Sequence, residues 1–298
     1  MCAEYKSPAE LVAEFDPRAP RITEILQRAL EEDLGAGDLT TDAVFPEGVE
    51  AAGTFLAKES LLVAGLPVVE RIFELLDPAL RFEALVEEGA LVNRGRLAEA
   101  RGDARPLLRG ERVALNFLQR LSGIASLTRR FVNRLEGTRT QIRDTRKTTP
   151  GLRLLEKYAV RVGGGANHRF GLYDGVLIKE NHAQLAGSVA EAVKRAKARY
   201  KGERPVQVEV RDENELRQAL AAGADALLLD NMSIEQVDTA VQIVARRVPV
   251  EASGGIRLEN VRAYAECGVD FISVGALTHS APAADISFDL QPAKDSRG

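Results

Sequence analysis

Residues 206–230 read VQVEVRDENELRQALAAGADALLLD. Two short apolar runs, Val206–Val208 and Ala226–Leu229, enclose a stretch with the spacing of a helix. The first run stops at Glu209 and the second at Asp230. Short apolar runs bounded by polar residues are typical of strands buried on both faces, and a helix between two such strands makes them parallel. This segment therefore predicts one β/α/β unit.

The same alternation continues through the second half of the chain. Further apolar runs stop at charged or glycine-bearing residues, and helical spacing separates them. They are Gln141–Asp144, Gly175–Ile178, Val248–Glu251 and Phe271–Val274, followed by Arg146 and Lys147, by Lys179, by Ser253–Gly255 and by Gly275. We predict a TIM-like β/α barrel of about six parallel strands, incomplete because a full barrel has eight. Active sites of such barrels lie at the carboxyl ends of the strands, so these residues point towards one pocket.

The first part of the chain has a different pattern. Arg21–Leu34 shows the apolar spacing of an amphipathic helix that Gly35 ends, and a loop follows. Runs typical of strands cover Ala51–Gly65 and Arg81–Ala104, and Pro67–Leu76 between them has helical spacing. Strands and helices without a regular β/α repeat indicate an α+β layer domain. The predicted fold class is thus α/β, with an N-terminal α+β domain joined to the barrel.

A long helical stretch joins the two predicted domains. It covers Pro106–Leu135 and is interrupted near Gly123. The predicted divisions are an N-terminal α+β domain over residues 1–115, a catalytic barrel over 116–280 and a C-terminal segment over 281–298. We expect the tail after Leu290 to be mobile.

Composition and charge exclude several classes of protein. With 298 residues and a formal net charge of -4, the chain lacks the basic surplus expected of a nucleic-acid binder. No run reaches membrane-spanning length, and Met1–Pro17 has no apolar centre, so we expect neither a membrane partner nor a secretory signal. Cys2 and Cys267 give neither a disulfide framework nor a metal-ligand spacing. These features favour a cytoplasmic protein.

Cations follow the first two strands of the predicted barrel. Arg146 and Lys147 stand where a loop turns into the next helix, and Lys179 closes the following strand. His168 and Arg169 come between them, after a run of three glycines. Each could be a solvated or structural residue on its own. Cations that converge on one pocket repel one another unless an anion is bound, so we infer a polyanionic ligand.

Carboxylates and glycines follow the remaining strands. Glu209 and Asp230 should lie side by side, where they could pair with the lysines, bind a divalent cation or hold sugar hydroxyls. Glycines in Ser253–Gly255 and Gly275–Ala276 let backbone N–H groups approach a phosphate. A phosphorylated ribose with a diphosphate at C1, beside a carboxylated aromatic acid, fits all of these groups.

The segment Asp144–His182 closely resembles the quinolinate phosphoribosyltransferases, the carboxylating nicotinate-nucleotide pyrophosphorylases. It reads DTRKTTPGLRLLEKYAVRVGGGANHRFGLYDGVLIKENH. Other similar motifs are EDLGAGDLTTDAV from Glu32, ERVALNFLQRLSGIA from Glu111, VEVRDENEL from Val208, LLLDNMS from Leu227, EASGGI from Glu251 and SVGALTHSAPAADISF from Ser273. The resemblance covers nearly the whole chain. It implies a pentosyltransferase that makes nicotinate mononucleotide, CO2 and diphosphate from quinolinate and phosphoribosyl pyrophosphate during NAD biosynthesis.

The resemblance also implies roles for individual positions. The residues that would hold quinolinate are Arg146, Lys147, His168, Arg169 and Lys179. Those that would meet the ribose and its phosphate are Glu209, Asp230, Ser253, Gly254, Gly255, Gly275, Ala276 and Leu277. Catalysis would fall to Lys147, Lys179, Glu209 and Asp230, with Mg²⁺ near the two carboxylates. Members of the family are homodimers, and Arg112 matches an arginine that enters the partner's site.

Other readings of the sequence lead to different expectations. A relative associated with molybdenum transport shares this architecture. A nicotinate-specific phosphoribosyltransferase would not need so many cations, since its substrate has a single carboxylate. A non-catalytic sensor of phosphorylated metabolites could lose Glu209 or Asp230, and both are present.

Overall fold

The computed structural model describes residues 14–45 and 47–293, and it divides into two compact units. The first unit comprises the described parts of Met1–Leu127, Thr149–Gly164 and Ser280–Gly298. The second comprises Thr128–Thr148 and Gly165–His279. The boundaries predicted from the sequence divide the chain into consecutive pieces, whereas these two units interleave along it.

Helices and strands are numbered here in chain order. Those of the first unit are α1 (Pro20–Leu34), α2 (Leu39–Val44), β1 (Glu50–Leu62), α3 (Leu66–Leu76), β2 (Arg81–Ala84), β3 (Leu91–Asp103), α4 (Ala104–Arg134), α5 (Arg153–Val162) and β10 (Ile286–Pro292). Helix α4 ends in the second unit. That unit also contains β4 (Gln141–Arg143), β5 (Val176–Ile178), α6 (Glu180–Ala186), α7 (Val189–Tyr200), β6 (Val206–Val210), α8 (Glu213–Ala221), β7 (Ala226–Asp230), α9 (Ile234–Val244), β8 (Val250–Ser253), α10 (Val261–Glu266), β9 (Phe271–Ser273) and α11 (Ala276–His279).

Helix α1 confirms the predicted amphipathic helix, but the loop predicted after it is partly wrong. Residues Leu39–Val44 form helix α2. The carboxylate of Asp38 accepts hydrogen bonds from the backbone N–H groups of Thr40 at 3.1 Å and Thr41 at 3.0 Å. An aspartate in this position satisfies N–H groups that the first helical turn leaves without partners. The cap therefore stabilises a helix whose apolar residues are too few to give a periodic pattern.

The first unit is built around an antiparallel sheet in the order β10-β1-β3-β2, which confirms the predicted α+β layer. Phe55 of β1 lies at the centre of the core of this unit. Its ring centroid is 4.4 Å from that of Phe288 and 6.1 Å from that of Phe73. A Cβ on Gly53 would lie 1.9 Å from the Phe288 ring. Glycine at this position therefore gives the aromatic ring room to pack on the strand.

Strand β10 comes from the end of the chain and pairs with β1 along its length. Its register runs from Ile286 opposite Ala57 to Pro292 opposite Ala51. The tail expected to be mobile after Leu290 is thus in the sheet as far as Pro292, and the rest of that prediction falls on residues 294–298, outside the described range.

Helix α4 is continuous through Gly123, so the predicted interruption is wrong. A Cβ at Gly123 would lie 1.9 Å from the backbone carbonyl oxygen of Pro282. The glycine is therefore a point of close backbone approach and does not break the helix. Neither α4 nor any other helix within residues 14–45 and 47–293 has the length and apolarity needed to cross a membrane.

The second unit contains a six-stranded parallel sheet in the order β4-β9-β8-β7-β6-β5, which confirms the six predicted strands. The two edge strands, β4 and β5, are not hydrogen-bonded to each other, so the sheet is an incomplete barrel as predicted. All the carboxyl ends of the strands lie at one edge because the strands are parallel.

The two faces of this sheet differ in polarity. Val206, Val208 and Val210 of β6 are buried, and the alternating positions on the other face are Gln207 and Glu209. The side chains of Arg143, Gln207, Glu251 and Ser273 contact one another on that second face, which we call the polar face. The sequence predicted strands buried on both faces, and successive residues are buried in β7 (Leu227–Leu229) and β8 (Val250–Ala252). The polar face directs charged groups into this buried region.

Candidate active site

Lys179 and Glu209 meet at the carboxyl ends of neighbouring strands. Lys179 follows β5, Glu209 lies near the end of β6, and the Lys179 Nζ is 2.9 Å from the Glu209 Oε2. The Glu209 side chain is 13% exposed and that of Lys179 is 48% exposed, so the pair lies at an opening where the lysine can still meet a ligand.

Arg169 lies in the same electrostatic environment as Glu209. Its Nη1 donates a hydrogen bond to the carbonyl oxygen of Gly175 at 2.8 Å, which fixes one side of the guanidinium group. Burial lowers the pKa of Arg169, and the charge of Arg146 lowers it further, while Asp174 and Glu209 raise it. Repulsion between two arginines that share a half-buried place favours an anion between them.

Asp144 fixes the segment that carries His168 and Arg169. Its fully buried carboxylate accepts hydrogen bonds from the Asn167 Nδ2 at 2.6 Å and from the backbone N–H of His168 at 2.8 Å. A parallel bridge between Arg143 and Ala166 places the segment beside strand β4. The strand end therefore sets the position of the histidine and the following arginine.

Lys147 lies against the last strand of the sheet. A Cβ at Gly275, just after β9, would lie 3.1 Å from the Lys147 Cδ, and the hydroxyl of Thr278 donates to the Lys147 carbonyl oxygen at 2.8 Å. The cation is itself exposed. Gly275 thus leaves room for the lysine, and Ala276 and Leu277 begin the short helix α11 beyond it.

Asp230 lies beside the glycines that follow β8. It pairs in register with Ser253, and its carboxylate accepts a hydrogen bond from the Asn231 Nδ2 at 2.9 Å. Gly254 has a φ of +93°, and a Cβ there would lie 2.3 Å from the Asn231 Oδ1. Only glycine fits this turn, and Gly255 that follows is exposed.

The two carboxylates suit magnesium without forming a complete cage. No cluster of three or more aspartate, glutamate, histidine or cysteine residues with metal-binding geometry occurs in the described part of the chain. Mg²⁺ prefers oxygen ligands, and in many phosphate-binding sites one or two carboxylates hold it together with substrate phosphates and waters. Glu209 and Asp230 fit this arrangement.

Glu251 has no role predicted from the sequence, although the motif EASGGI begins at this residue. The carboxylate lies in β8 on the polar face and is 1% exposed. Its Oε2 is 2.9 Å from the Gln207 Nε2 and 3.5 Å from both the Arg143 Nη1 and the His168 Nε2, and its Oε1 accepts a hydrogen bond from Ser273. A glutamate within an apolar run was the only signal available.

Arg112 and His182 differ from the residues above. Arg112 is an exposed residue of α4 in the first unit. The Nδ1 of His182 accepts a hydrogen bond from the backbone N–H of Lys179 at 2.9 Å, which is a structural role. The second unit thus places Lys179 beside Glu209, Lys147 beside Gly275 and Asp230 beside Ser253.

Fold and site together define a β/α-barrel protein that binds an anionic ligand at the carboxyl ends of its strands. The family model for the quinolinate phosphoribosyl transferase C-terminal domain matches residues 124–289, and that for the N-terminal domain matches residues 38–122. The chain belongs to the quinolinate phosphoribosyltransferase family.

Individual relatives agree with the family match. A nicotinate-nucleotide pyrophosphorylase [carboxylating] of Mycobacterium leprae is 44% identical, over 93% of this chain and 98% of that protein. The chloroplastic enzyme of the same name from Arabidopsis thaliana is 41% identical, over 89% of this chain and 82% of that protein. The crystal structure of NadC from Streptococcus pyogenes is 42% identical and superposes with a TM-score of 0.88, over 93% of this chain and 98% of that one.

Proposed function

We propose that this chain transfers the phosphoribosyl group of phosphoribosyl pyrophosphate to quinolinate, with loss of CO2. The products are nicotinate mononucleotide and diphosphate, and the reaction belongs to de novo NAD biosynthesis. The observation that carries the proposal is the ion pair between Lys179 and Glu209. Arg169 interacts electrostatically with this glutamate and with Arg146. Relatives with 41–44% identity that bear the name of this enzyme support the proposal.

The cations are assigned to the two carboxylates of quinolinate. Arg146 and Arg169 can each bind a carboxylate through paired hydrogen bonds, and a guanidinium stays charged even where burial lowers its pKa. Lys147 and Lys179 supply point charges, and His168 orients the pyridine ring. Lys179 already pairs with Glu209, so binding of quinolinate replaces part of this ion pair with a new one between Lys179 and a substrate carboxylate.

The remaining groups are assigned to phosphoribosyl pyrophosphate. Glu209 and Asp230 face the ribose hydroxyls, and backbone N–H groups approach the phosphate. The positions assigned to the phosphate are Ser253, Gly254, Gly255, Gly275, Ala276 and Leu277. When it is bound, Mg²⁺ would be held by Glu209 and Asp230 and would supply Lewis-acid stabilisation of the departing diphosphate.

The reaction needs no residue to remove a proton at its start. The lone pair of the pyridine nitrogen forms the bond to C1 of the ribose, and the bond from C1 to the diphosphate oxygen breaks. Glu209 and Asp230 stabilise the positive charge that develops on the sugar, and Lys147 and Lys179 stabilise the diphosphate. The C2 carboxylate then leaves as CO2, and the electron pair of the broken bond stays at C2, where the adjacent positive nitrogen stabilises it. A proton from water binds to this pair and gives the C2–H of nicotinate mononucleotide.

A homodimer in the cytoplasm is part of the same proposal. Arg112 would enter the site of the partner subunit, and its exposure on α4 supports this role. The free thiol of Cys267 agrees with a reducing compartment. Mixing an Arg112→Ala variant with an Arg146→Ala variant should restore part of the activity, because each heterodimer that forms then contains one intact site. If the mixture stays as inactive as its components, each site is made within one subunit.

A turnover assay tests the proposed function. Protein, Mg²⁺, phosphoribosyl pyrophosphate and quinolinate are mixed, and CO2, diphosphate and nicotinate mononucleotide are measured. We expect the three products in equal amounts, and little product from a Glu209→Gln variant or in the presence of a chelator. Tight binding of both substrates without products would identify a sensor, and the proposed function would then be rejected.

A further inference from the structure

The polar face of the parallel sheet contains a buried carboxylate that touches no residue assigned to phosphoribosyl pyrophosphate. Glu251 is 1% exposed, and burial of a charge costs several kcal/mol unless hydrogen bonds and opposite charges compensate it. Its donors come from four separate parts of the chain. They are Arg143 of β4, His168, Gln207 of β6 and Ser273 of β9. One side chain therefore joins segments that are more than a hundred residues apart in sequence.

Contacts at both ring nitrogens determine which tautomer of the His168 imidazole is present. The backbone N–H of Arg169 donates to the His168 Nδ1 at 2.7 Å, so that nitrogen carries no proton in the neutral ring. The proton is then on Nε2, which lies 3.5 Å from the Glu251 carboxylate. Groups at both nitrogens thus select one tautomer and one ring orientation.

The same hydrogen bond connects the ring to the substrate-binding arginine. The ring of His168 holds the backbone of Arg169, and the carbonyl of Gly175 holds the Arg169 guanidinium at 2.8 Å. A change in the ring would therefore move the arginine at its backbone. The chain of contacts runs from Glu251 through His168 to Arg169, entirely within the second unit.

We propose that Glu251 is a positioning residue for quinolinate, which keeps His168 in its Nε2–H form and thereby sets Arg169. This inference rests on the proposed function for its substrate. A simpler explanation is that Glu251 only neutralises Arg143, whose guanidinium lies 3.2 Å from the centroid of the Phe271 ring. The two explanations differ in whether the effect of Glu251 passes through His168.

A double-mutant cycle distinguishes the two. Glu251→Gln keeps the shape of the side chain but removes its charge. We expect it to lower kcat/KM for quinolinate about ten-fold, mainly through KM, with the KM for phosphoribosyl pyrophosphate changed less than about two-fold. In a His168→Gln background the same substitution should have an effect of less than about two-fold. An equal loss in both backgrounds, or an equal rise in both KM values, would overturn the proposal.

Ser273→Ala is the matched control. It removes a hydrogen bond from the other oxygen of Glu251 and leaves the His168 side intact. We expect its kcat/KM for quinolinate to stay within about two-fold of wild type. If Glu251→Gln does not fold, Glu251→Asp replaces it in the cycle, because it retains the charge but shortens the reach to His168. A wild-type KM for quinolinate in Glu251→Asp would then contradict the proposal.

Nitrogen NMR provides a readout that is independent of turnover. The chain has three histidines, and His168→Gln identifies the signals of His168. The wild-type protein should show His168 in the Nε2–H form, and Glu251→Gln should shift its ring nitrogens towards a mixture of tautomers. An Nδ1–H ring in the wild type would reject the inference. Absence of turnover with quinolinate would reject the proposed function, and the NMR result would still decide whether Glu251 controls His168.

Discussion

The two sheets of this chain each hold a carboxylate between cations, and the two carboxylates differ in how they are surrounded. Glu99, on the antiparallel sheet, is 7% exposed, and its partners Arg96 and Arg101 have side chains that are 58% and 62% exposed. Glu251, on the parallel sheet, is 1% exposed, and the side chains of Arg143 and His168 are 25% and 12% exposed. The arginine partners of the first carboxylate are therefore much more exposed to solvent than the partners of the second.

This difference shows that the two sheets place their charged groups in different environments. In the antiparallel sheet, the buried carboxylate of Glu99 pairs with arginines whose side chains are exposed, and the aromatic core around Phe55 stabilises the sheet. In the parallel sheet, charged side chains are buried against one another at some cost in stability, which is typical of functional sites. We therefore expect substitutions in the antiparallel sheet to affect stability and substitutions in the parallel sheet to affect substrate binding.

The largest expected effect comes from removing a cation beside the parallel sheet. Arg169→Ala should lower kcat/KM for quinolinate by an equivalent of about 2–4 kcal/mol, with less effect on phosphoribosyl pyrophosphate. Arg101→Ala, on the antiparallel sheet, is the control and should leave both values unchanged. Steady-state kinetics measures the two variants side by side, and an unaltered quinolinate value for Arg169→Ala would remove this residue from the site.

The next effect concerns the stability of the first unit. Gly123→Ala introduces the better helix former, yet the new Cβ would lie 1.9 Å from the Pro282 carbonyl oxygen. We expect a loss of about 1–3 kcal/mol in the free energy of unfolding. Gly110→Ala, in the same helix, meets only side-chain atoms of Leu76 and Phe73 and should cost less. Denaturant unfolding that ranks the two variants in the opposite order would contradict this packing argument.

A smaller effect should appear in the pH dependence of stability. Burial raises the pKa of Glu88, although Tyr158 and the backbone N–H groups of Gly65 and Leu66 donate hydrogen bonds to it. The folded state therefore holds this proton more tightly than the unfolded state, and the contribution of Glu88 to wild-type stability falls as pH rises from the ordinary glutamate value of 4.5 through the raised pKa of the folded state.

The Glu88→Gln variant lacks this titration. Its stability relative to wild type should rise with pH in that window, by less than about 1.4 kcal/mol per pH unit, the limit for one proton. Unfolding curves for both proteins at a series of pH values measure the difference. A difference that stays constant or falls as pH rises would show that burial does not raise this pKa.

The smallest effect is expected for Glu99 of the antiparallel sheet, whose arginine partners have exposed side chains. Glu99→Gln should change the free energy of unfolding by less than about 1 kcal/mol, because its arginine partners remain solvated. Its kcat/KM for quinolinate should equal that of wild type. A ten-fold kinetic loss here, as expected for Glu251→Gln, would remove the distinction between the two carboxylates.

The predictable parts of this molecule are those that follow from local periodicity. Six parallel strands follow from apolar runs separated by helical spacing, and parallel pairing then places Lys179 and Glu209 at one edge. The assignment of Arg146 and of the glycines after β8 and β9 to that edge needed only their position after a strand, whereas that of Arg169 came from the family resemblance.

Other parts depend on contacts that no local pattern specifies. Strand β10 joins the antiparallel sheet through pairing with residues more than two hundred positions earlier. A glycine within a helical pattern indicates a helix break, but Gly123 is a packing contact because the chain returns to it at Pro282. The role of Glu251 depends on donors from four distant segments, so a single glutamate in an apolar run gave no sign of it.

The central claim is that the cations of the parallel sheet exist to hold a second carboxylate, and a comparison of quinolinate with nicotinate tests it most directly. Both acids are assayed with the same protein, Mg²⁺ and phosphoribosyl pyrophosphate. We expect kcat/KM for quinolinate to exceed that for nicotinate by at least about a thousand-fold, because nicotinate has no second carboxylate to bind the half-buried Arg146 and Arg169. Comparable values for the two acids would contradict the account.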